Sequence, residues 1–244
     1  MTPRPAGSAP QSEAVESAGS PLPPPVGSAA TAWTVAGAAG LAFAVLSAWI
    51  AERGPAVPWI DLTIHRWVLA DRGRITVRIA NDLRWAGATE TVLPALVLVG
   101  AAAPRAGSGW ARRAASGVLL AAVAGAGVLA EIWVNHVIGR VRPPVADWAG
   151  AASGASFPSG HATNATLFAL ACGWAWTGRI RPGWRRRAVW AGAAVYPGAV
   201  GWSRVWLGVH WPTDVLGGWL FGLAWMAGAA AVVLSLRRRP APTG

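Results

Sequence analysis

SRVWLGVHWPTD, running from Ser203 to Asp214, sets an Arg, a His and an Asp at spacings of six and four residues in a region of Ala, Gly, Val, Leu and Trp. Charged side chains in such apolar surroundings are costly unless they have partners or a function. Two other polar clusters, GRVRPP at 139–144 and SFPSGH at 156–161, each lie at one end of an apolar run of membrane length. We therefore expect three helix ends to meet at one reaction centre.

The composition is that of an integral membrane protein. Apolar residues make up 54% of the 244 residues, charged residues make up 13%, and the mean hydropathy is +0.39. The 21 basic residues are all arginines, and they lie mostly between the apolar runs, where anionic lipid headgroups are the closest partners. We therefore expect membrane lipids, and no nucleic acid, as partners.

Six apolar runs organise the chain, at about residues 31–50, 85–103, 114–137, 161–177, 188–202 and 213–236. Residues 1–31 are rich in Pro, Ser, Gly and Ala, which predicts a disordered tail. Residues 52–84 mix apolar side chains with six arginines and four acids, which predicts short amphipathic helices on the membrane surface. The predicted fold is all-α: a six-transmembrane helical bundle at 32–236, with amphipathic surface helices between the first and second spans and a basic cytoplasmic tail at 237–244. In the sixth run, Gly218 and Gly222 have the GxxxG spacing of closely packed helices.

Arginines between the runs predict the orientation in the membrane. One group follows the second run, another follows the fourth and a third follows the sixth: Arg105, Arg112 and Arg113; Arg179, Arg181, Arg185, Arg186 and Arg187; Arg237, Arg238 and Arg239. The positive-inside rule assigns these segments to the cytoplasm. The three polar clusters are then extracytoplasmic, in a multi-pass protein of a bacterial cell (plasma) membrane.

His210 is the candidate nucleophile. A neutral imidazole can form a covalent intermediate when a partner on its far nitrogen sets its tautomer and orientation. Asp214 stands one helical turn later if a helix begins near Pro212, and its carboxylate would also stabilise the cation formed during the attack. Arg204 offers the planar pair of donors that matches phosphate oxygens.

The PSGH sequence at 158–161 is a candidate anion site at a helix N-terminus. Ser159 is predicted to cap the helix, so the amides of Gly160 and His161 would point towards a bound anion. His161 is also placed to protonate a departing alkoxide as a general acid. Together with the guanidinium of Arg142, these groups suit a phosphoryl transfer that needs no metal and no cofactor.

These clusters resemble the three-part signature of the type 2 phosphatidic acid phosphatase superfamily, the lipid phosphate phosphatases that share a core with vanadium haloperoxidases. The signature reads KxxxxxxRP, PSGH and SRxxxxxHxxxD, and the second and third motifs are complete in this chain. The resemblance implies an integral membrane hydrolase of phosphoric esters or anhydrides that forms a phosphohistidine at His210. It also implies protonation of the leaving group by His161, and phosphate binding by the following residues: Arg142, Ser159, Gly160 and Arg204.

The first motif departs from the family at one position. Arg142 and Pro143 match, whereas the family's lysine falls on Asn135, and the chain has no lysine elsewhere. Either Asn135 is a neutral phosphate ligand in place of the lysine, or Arg140 turns inwards and supplies the missing charge. We expect partial replacement by Arg140, because Gly139 can end the helix just before it.

Three functions stay open on the sequence. The first is hydrolysis of a lipid phosphate monoester or diphosphate, of the phosphatidate, phosphatidylglycerophosphate or polyprenyl (undecaprenyl) diphosphate type, at the extracytoplasmic face. The second is a lipid phosphotransferase on the same scaffold. The third is a non-catalytic lipid-binding or transport protein of the membrane whose first motif is degenerate.

Four other polar residues have structural interpretations. Glu131 lies one turn before Asn135 and is expected in an ion pair or at the membrane interface rather than in catalysis. His65 and His136 are expected to be structural, and Asp147 is expected to be solvated in the loop between the first two motifs.

Overall fold

The computed structural model describes residues 27–103, 107–177 and 180–237, and the regular structure in these residues is entirely helical. Eight α-helices follow one another along them: α1 (Ala29–Arg53), α2 (Trp59–Asp71), α3 (Arg74–Arg84), α4 (Thr89–Ala102), α5 (Trp110–Ile138), α6 (Gly160–Thr177), α7 (Trp184–Trp206) and α8 (Pro212–Arg237). Two short 3-10 helices, Trp85–Gly87 and Val145–Asp147, lie between them. The predicted all-α class is confirmed.

Three helices, α1, α5 and α8, are long and apolar enough to cross a membrane. The segment Arg74–Gly87 and helix α4 also qualify when they are taken together, but they are bent by 53°, so the count reaches four only if this pair is one broken span. Helices α6 and α7 coincide with predicted runs, but they carry polar residues that the bundle encloses, among them Thr163, Asn164 and Arg204. The six-span arrangement therefore remains a prediction.

Helix α8 packs closely against α6 because glycines face the contact. A Cβ atom at Gly218 would lie 2.7 Å from the carbonyl oxygen of Ser159, and one at Gly222 would lie 2.8 Å from Cβ of Thr166. The close packing predicted from the GxxxG spacing is confirmed. It holds the first turns of α8 against the first turn of α6, where two of the three polar clusters lie.

The second predicted span does not begin at Trp85. Ala88 is extended, with φ −74° and ψ 140°, so the chain breaks between the 3-10 helix and α4. The break lets Gly87 lie against α6 and α7, since a Cβ atom there would be 2.8 Å from the carbonyl oxygen of His161 and 2.6 Å from Val200. The 14 residues of α4 span about 21 Å, which is less than the roughly 30 Å of a hydrocarbon core.

The segment predicted to form amphipathic surface helices folds into α2 and α3. Helix α3 exposes Ile75 and Ile79, whereas α2 buries two polar residues, Asp61 and His65. The buried polar pair follows a helical spacing of four, so one face of α2 packs into the protein. The position of α2 and α3 at the membrane surface remains a prediction.

The first helix begins slightly earlier than the sequence predicts, and most of both predicted tails lies outside the described residues. The predicted tail extends to residue 31, but α1 begins at Ala29, because the hydroxyl of Ser28 accepts a hydrogen bond from the amide of Thr31 at 3.1 Å. The rest of the tail, residues 1–26, lies outside the described residues, as does the C-terminal tail from 238 onwards. Four arginines used for the orientation also lie outside them: Arg105, Arg179, Arg238 and Arg239.

Candidate active site

The three predicted clusters meet around a cavity of about 410 Å³, which we call the central cavity. One wall comes from the end of α5 and the chain that follows it, a second from the first turn of α6, and a third from the end of α7 and the turn after it. Six predicted site residues line the cavity: Asn135, Arg142, Gly160, His161, Arg204 and His210. The other three are buried behind its wall: Ser159, Asp214 and Arg140.

His210 lies in the short turn between α7 and α8. Gly208 reverses the chain there with a φ of 70°, a left-handed conformation that favours glycine. Nδ1 of His210 lies 3.4 Å from Oδ2 of Asp214, an ion-pair distance without the alignment of a good hydrogen bond. We therefore assign the ring proton to Nδ1, which leaves Nε2 as the acceptor that faces the cavity.

Burial lowers the pKa of His210 to about 4, and the adjacent carboxylate of Asp214 opposes this shift. The positive charges of Arg142 and Arg204 act in the same direction as burial. The imidazole is therefore neutral at pH 7. A neutral imidazole has the lone pair that a nucleophile needs.

Asp214 is held rigidly in the first turn of α8. Its Oδ2 accepts the backbone amide of Trp211 at 2.8 Å and the hydroxyl of Ser156. Its Oδ1 accepts Nη1 of Arg140 at 2.5 Å. The carboxylate is fully buried, so these bonds and His210 account for its acceptor capacity. Asp214 is thus placed to orient the imidazole, as its spacing from His210 predicts.

Arg142 is fixed by backbone oxygens beside the nucleophilic nitrogen. Its guanidinium donates to the carbonyl oxygens of residues 153–155 at 2.8 to 3.0 Å and to that of Val209 at 2.8 Å. Its Nη1 also lies 2.9 Å from Nε2 of His210. These contacts use all five N–H donors of the guanidinium. A phosphate oxygen that displaced the contact between Nη1 and Nε2 would lie beside the nucleophilic nitrogen.

Arg204 is the most unusual polar group of the site. Its side chain is buried, and Nη2 donates to the carbonyl oxygen of Ala151 at 3.0 Å. Its Nε and Nη1 are buried too, yet they have no hydrogen-bond partner among the described residues. An unpaired guanidinium edge is costly to bury. Because Arg204 lines the cavity, its free donors indicate a site for an anion.

The first turn of α6 differs in detail from its prediction. Ser159 stands before the helix, and its carbonyl oxygen accepts the amide of Thr163 at 2.9 Å. Its hydroxyl, however, has no partner among the residues that the structure describes, so the predicted side-chain cap is not formed. Its amide donates to the carbonyl oxygen of Asp214 at 3.0 Å, which joins α6 to α8. Gly160 and His161 line the cavity, as predicted.

Asn135 has a structural role that the sequence does not predict. Its amide nitrogen lies 3.1 Å from the carbonyl oxygen of Ala155, 3.3 Å from that of Phe157 and 3.2 Å from that of Pro158. An amide has two hydrogens, so its donors are committed to the loop before α6. The predicted role of Asn135 as a phosphate ligand is therefore corrected: its amide donates to the loop carbonyl oxygens, and neither hydrogen is left for phosphate.

Arg140 turns inwards as expected, but away from the cavity. It donates to Oδ1 of Asp214 at 2.5 Å and to Oδ2 of Asp61 at 2.7 Å, so two carboxylates hold its charge. The prediction that Arg140 replaces the missing lysine at the phosphate is wrong. The sequence indicates that the chain can turn after Gly139, which has a φ of 60°, but not which partners await the side chain.

Two further charged residues belong to the surroundings of the site. Glu131 is buried and lines the central cavity. Its carboxylate forms no ion pair with any residue that the structure describes, so the predicted ion pair is absent there. Arg84 ends α3, where its guanidinium covers the ring of Trp85 at 4.5 Å, and its positive charge acts on His161 and Arg204. Arg84 was missed because a single arginine at the end of an amphipathic helix is typical of a membrane surface.

A second polar pair ties the surface segment to the loop between the first two motifs. Nε2 of His65 lies 3.0 Å from Oδ2 of Asp147, and Nη1 of Arg72 donates to the carbonyl oxygen of Asp147 at 2.6 Å. Asp147 is therefore paired rather than simply solvated. The structural interpretation of His65 agrees with this contact.

Comparison with known proteins identifies the family. The model of the PAP2 superfamily matches residues 115–238. Phosphatidylglycerophosphatase B of Bacillus subtilis (strain 168) is 36% identical over 138 residues, which are 56% of this chain and 65% of that protein. A putative undecaprenyl-diphosphatase of Escherichia coli (strain K12) is 46% identical over 72 residues, 28% of this chain and 30% of that protein. The chain thus spans less than two thirds of the length of these curated relatives.

A solved structure shares the fold over most of the chain. The crystal structure of a transmembrane PAP2 type phosphatidylglycerolphosphate phosphatase from Bacillus subtilis superposes with a TM-score of 0.71 and 28% sequence identity, covering 84% of this chain and 98% of that chain. The matched family region contains all three polar clusters of the central cavity. The chain belongs to the PAP2 superfamily.

Proposed function

We propose that this protein is a membrane phosphatase that hydrolyses a lipid phosphate monoester or diphosphate through a phosphohistidine at His210, without a metal ion. The observation that carries this proposal is the pair of unpaired, buried donors of Arg204, a residue that lines the same cavity as His210. A cation that is buried without a partner favours an anionic ligand, and the neutral imidazole beside it is a nucleophile for phosphorus.

In the first half-reaction, the lone pair of Nε2 attacks phosphorus and the bond from phosphorus to the leaving oxygen breaks. The imidazole becomes a cation, and Asp214 at 3.4 Å stabilises it. His161 gives its proton to the leaving alkoxide or phosphate, since the bound anion favours the protonated form of a nearby imidazole. Arg204 and the first amides of α6 hold the equatorial oxygens, and Arg142 joins them as its Nη1 leaves Nε2 of His210 for a phosphate oxygen, which also frees the lone pair for the attack.

In the second half-reaction, water attacks the phosphohistidine and the bond between phosphorus and Nε2 breaks. The neutral His161 left by the first step accepts a proton from that water, as microscopic reversibility requires. Inorganic phosphate leaves, and His210 and His161 return to their starting states. The same chain residues thus serve both steps.

The names of the relatives support a lipid substrate. They include a phosphatidylglycerophosphatase, two proteins named as undecaprenyl-diphosphatases, one of them putative, and a lipid A 1-phosphatase of Rhizobium johnstonii that is 32% identical over 118 residues. All these names denote phosphatases of lipid phosphates or diphosphates. Three helices that are long and apolar enough to cross a membrane also support a lipid substrate.

The experiment that tests the function is phosphoenzyme trapping on the purified, detergent-solubilised chain. A substrate panel of phosphatidate, phosphatidylglycerophosphate and undecaprenyl diphosphate is followed by phosphate release. The best substrate is then labelled with ³²P in its terminal phosphate and quenched in base, where phosphohistidine survives. The wild type should carry label, His210→Ala should carry none, and His161→Ala should slow turnover most for substrates with poor leaving groups.

The matched control is His136→Ala, which removes an exposed histidine of α5 and should leave labelling unchanged. Label that persists in His210→Ala, or phosphate release that requires an added divalent metal, would contradict the mechanism. Transfer of label to a lipid or sugar hydroxyl instead of water would identify a phosphotransferase.

We also propose six spans with the cavity on the extracytoplasmic side, as the arginine distribution predicts. With Cys172 replaced by Ala, Ala151→Cys beside the cavity and Gly183→Cys before α7 should react differently with an impermeant thiol reagent added outside cells. Only Ala151→Cys should be labelled. Labelling of Gly183→Cys alone would reverse the orientation.

A further inference from the structure

A buried chain of charges lies directly behind the nucleophile. Asp61 on α2, Arg140 after α5 and Asp214 on α8 are all buried, and Arg140 bridges the two carboxylates at 2.7 and 2.5 Å. Thr213 completes the cluster, because Oδ1 of Asp61 accepts its amide at 3.0 Å and Oδ2 accepts its hydroxyl at 2.7 Å. We call these four residues the aspartate cluster.

The aspartate cluster carries one negative charge in excess. It holds two carboxylates and one guanidinium, and the adjacent imidazole of His210 is neutral. Without Asp61, Arg140 alone would neutralise Asp214. A carboxylate that is already paired with a cation gains less from a second cation beside it, because the two cations repel each other.

We propose that Asp61 is a positioning residue for phosphoryl transfer. Its carboxylate gives the aspartate cluster a net charge of minus one, and this charge balances the phosphoimidazolium cation that forms at His210. This inference rests on the proposed function. Arg142 and Arg204, on the phosphate side of His210, are both cations and add no negative charge near the imidazole. In the empty state Arg142 offsets this surplus charge only in part, from the far side of the imidazole. The cluster gains a cation directly beside Asp214 as Nε2 bonds to phosphorus.

A purely structural role is the competing explanation. Asp61 accepts the amide of Thr213 in the first turn of α8 and could serve only to hold that turn in place. The two explanations differ in what the charge does. A structural role depends on the shape and hydrogen bonds of Asp61, whereas an electrostatic role depends on the net charge of the cluster.

The first test compares Asp61→Glu with Asp61→Gln, which have the same length and differ in charge. The measurement is rapid-quench formation of the labelled phosphohistidine in a single turnover, with substrate Kd measured separately. The Glu variant should form the phosphoenzyme about tenfold to a hundredfold faster than the Gln variant, equivalent to roughly 1.4 to 2.7 kcal/mol of barrier. Substrate Kd should differ by less than about threefold between them, because Asp61 does not line the cavity.

The second test restores the charge by a second substitution. Asp61→Asn gives the cluster a net charge of zero, and adding Arg140→Gln returns it to minus one. The double variant should therefore form the phosphoenzyme faster than Asp61→Asn alone, although it lacks more of the native hydrogen bonds. A structural role predicts the opposite order.

Thr177→Val is the control, because it removes a buried hydroxyl contact of α6, to the carbonyl oxygen of Gly173 at 2.6 Å, outside the aspartate cluster. It should lower the unfolding temperature but keep the rate of phosphoenzyme formation within about threefold of the wild type. Equal rates for the Glu and Gln variants, or a double variant slower than Asp61→Asn, would overturn the inference. Failure of the proposed function has a different signature, since the wild type would then form no phosphohistidine at all.

Discussion

Gly218→Ala is a small change with a calculable effect on both folding and catalysis. The new Cβ atom would lie 2.7 Å from the carbonyl oxygen of Ser159, 2.9 Å from Cβ of Ala162 and 3.1 Å from the amide nitrogen of Thr163. Two of these atoms belong to the backbone of the first turn of α6, which cannot rotate away. Restoring an ordinary contact of 3.4 Å requires α6 and α8 to separate by about 0.7 Å.

Overpacking of this kind costs about 1 to 3 kcal/mol, and we expect the upper end because backbone must move. The higher helix propensity of alanine returns about 1 kcal/mol. The net loss of about 2 kcal/mol should lower the unfolding temperature by about 4 to 8 °C. The separation also stretches the 3.0 Å bond between the Ser159 amide and the Asp214 carbonyl oxygen, which sets the position of Asp214 relative to α6.

Phosphate release should fall by about tenfold to a hundredfold, since a displacement near 1 Å in a reaction centre can cost about a hundredfold in rate. The control is Gly228→Ala on the same helix, where a Cβ atom meets nothing within 4 Å. It should raise the unfolding temperature slightly and leave kcat unchanged. The reasoning fails if Gly218→Ala is as stable and active as Gly228→Ala.

Three other outcomes are expected. Because the pKa of His210 is about 4 in the fold and about 6.5 in the unfolded chain, the unfolded state binds this proton first as the pH falls. His210 alone should therefore remove about 2 kcal/mol from the stability of the fold between pH 7 and pH 5, and denaturant titrations of His210→Gln should lack this part of the loss. Arg84→Gln should lower kcat/KM about three- to tenfold, mainly through KM, because it removes positive charge near Arg204. The control is Arg78→Gln, which changes an exposed arginine of the same helix. Equal effects of the two substitutions would contradict this role of Arg84. Asn135→Lys should lower the free energy of unfolding by about 1 to 3 kcal/mol, since the longer side chain of lysine carries its nitrogen past the position from which the Asn135 amide contacts three loop carbonyl oxygens. An unchanged denaturation midpoint would refute this.

The family and the convergence of its motifs could be predicted because they depend on local sequence. The spacing between His210 and Asp214 is one helical turn, and a proline begins that helix, so the pairing follows from the backbone alone. The long apolar runs of α1, α5 and α8 likewise need only their own residues to identify them as membrane helices. The glycine spacing in α8 similarly predicts a close contact, although not the partner helix.

Other features could not be predicted because they depend on partners that are far apart in the chain. Asp61 and Thr213 are separated by 152 residues, and nothing local distinguishes Asp61 from an ordinary surface acid on an amphipathic helix. Arg140 could be predicted to turn inwards, but the contacts of α2 with α8 decided that it meets carboxylates rather than phosphate.

The sequence by itself determined the chemistry available to this protein: two histidines, an aspartate and two arginines in three motifs, on a chain that is apolar enough for a membrane. The tertiary structure alone decided which of these groups face the central cavity and which stand behind it. The physical reason is that side-chain identity and spacing establish local geometry, whereas the charge and hydrogen bonds felt by a buried group come from whichever helices pack against it. Asn135 and Arg140 show this most directly, since their donors are committed to oxygens that only the packed bundle brings within reach.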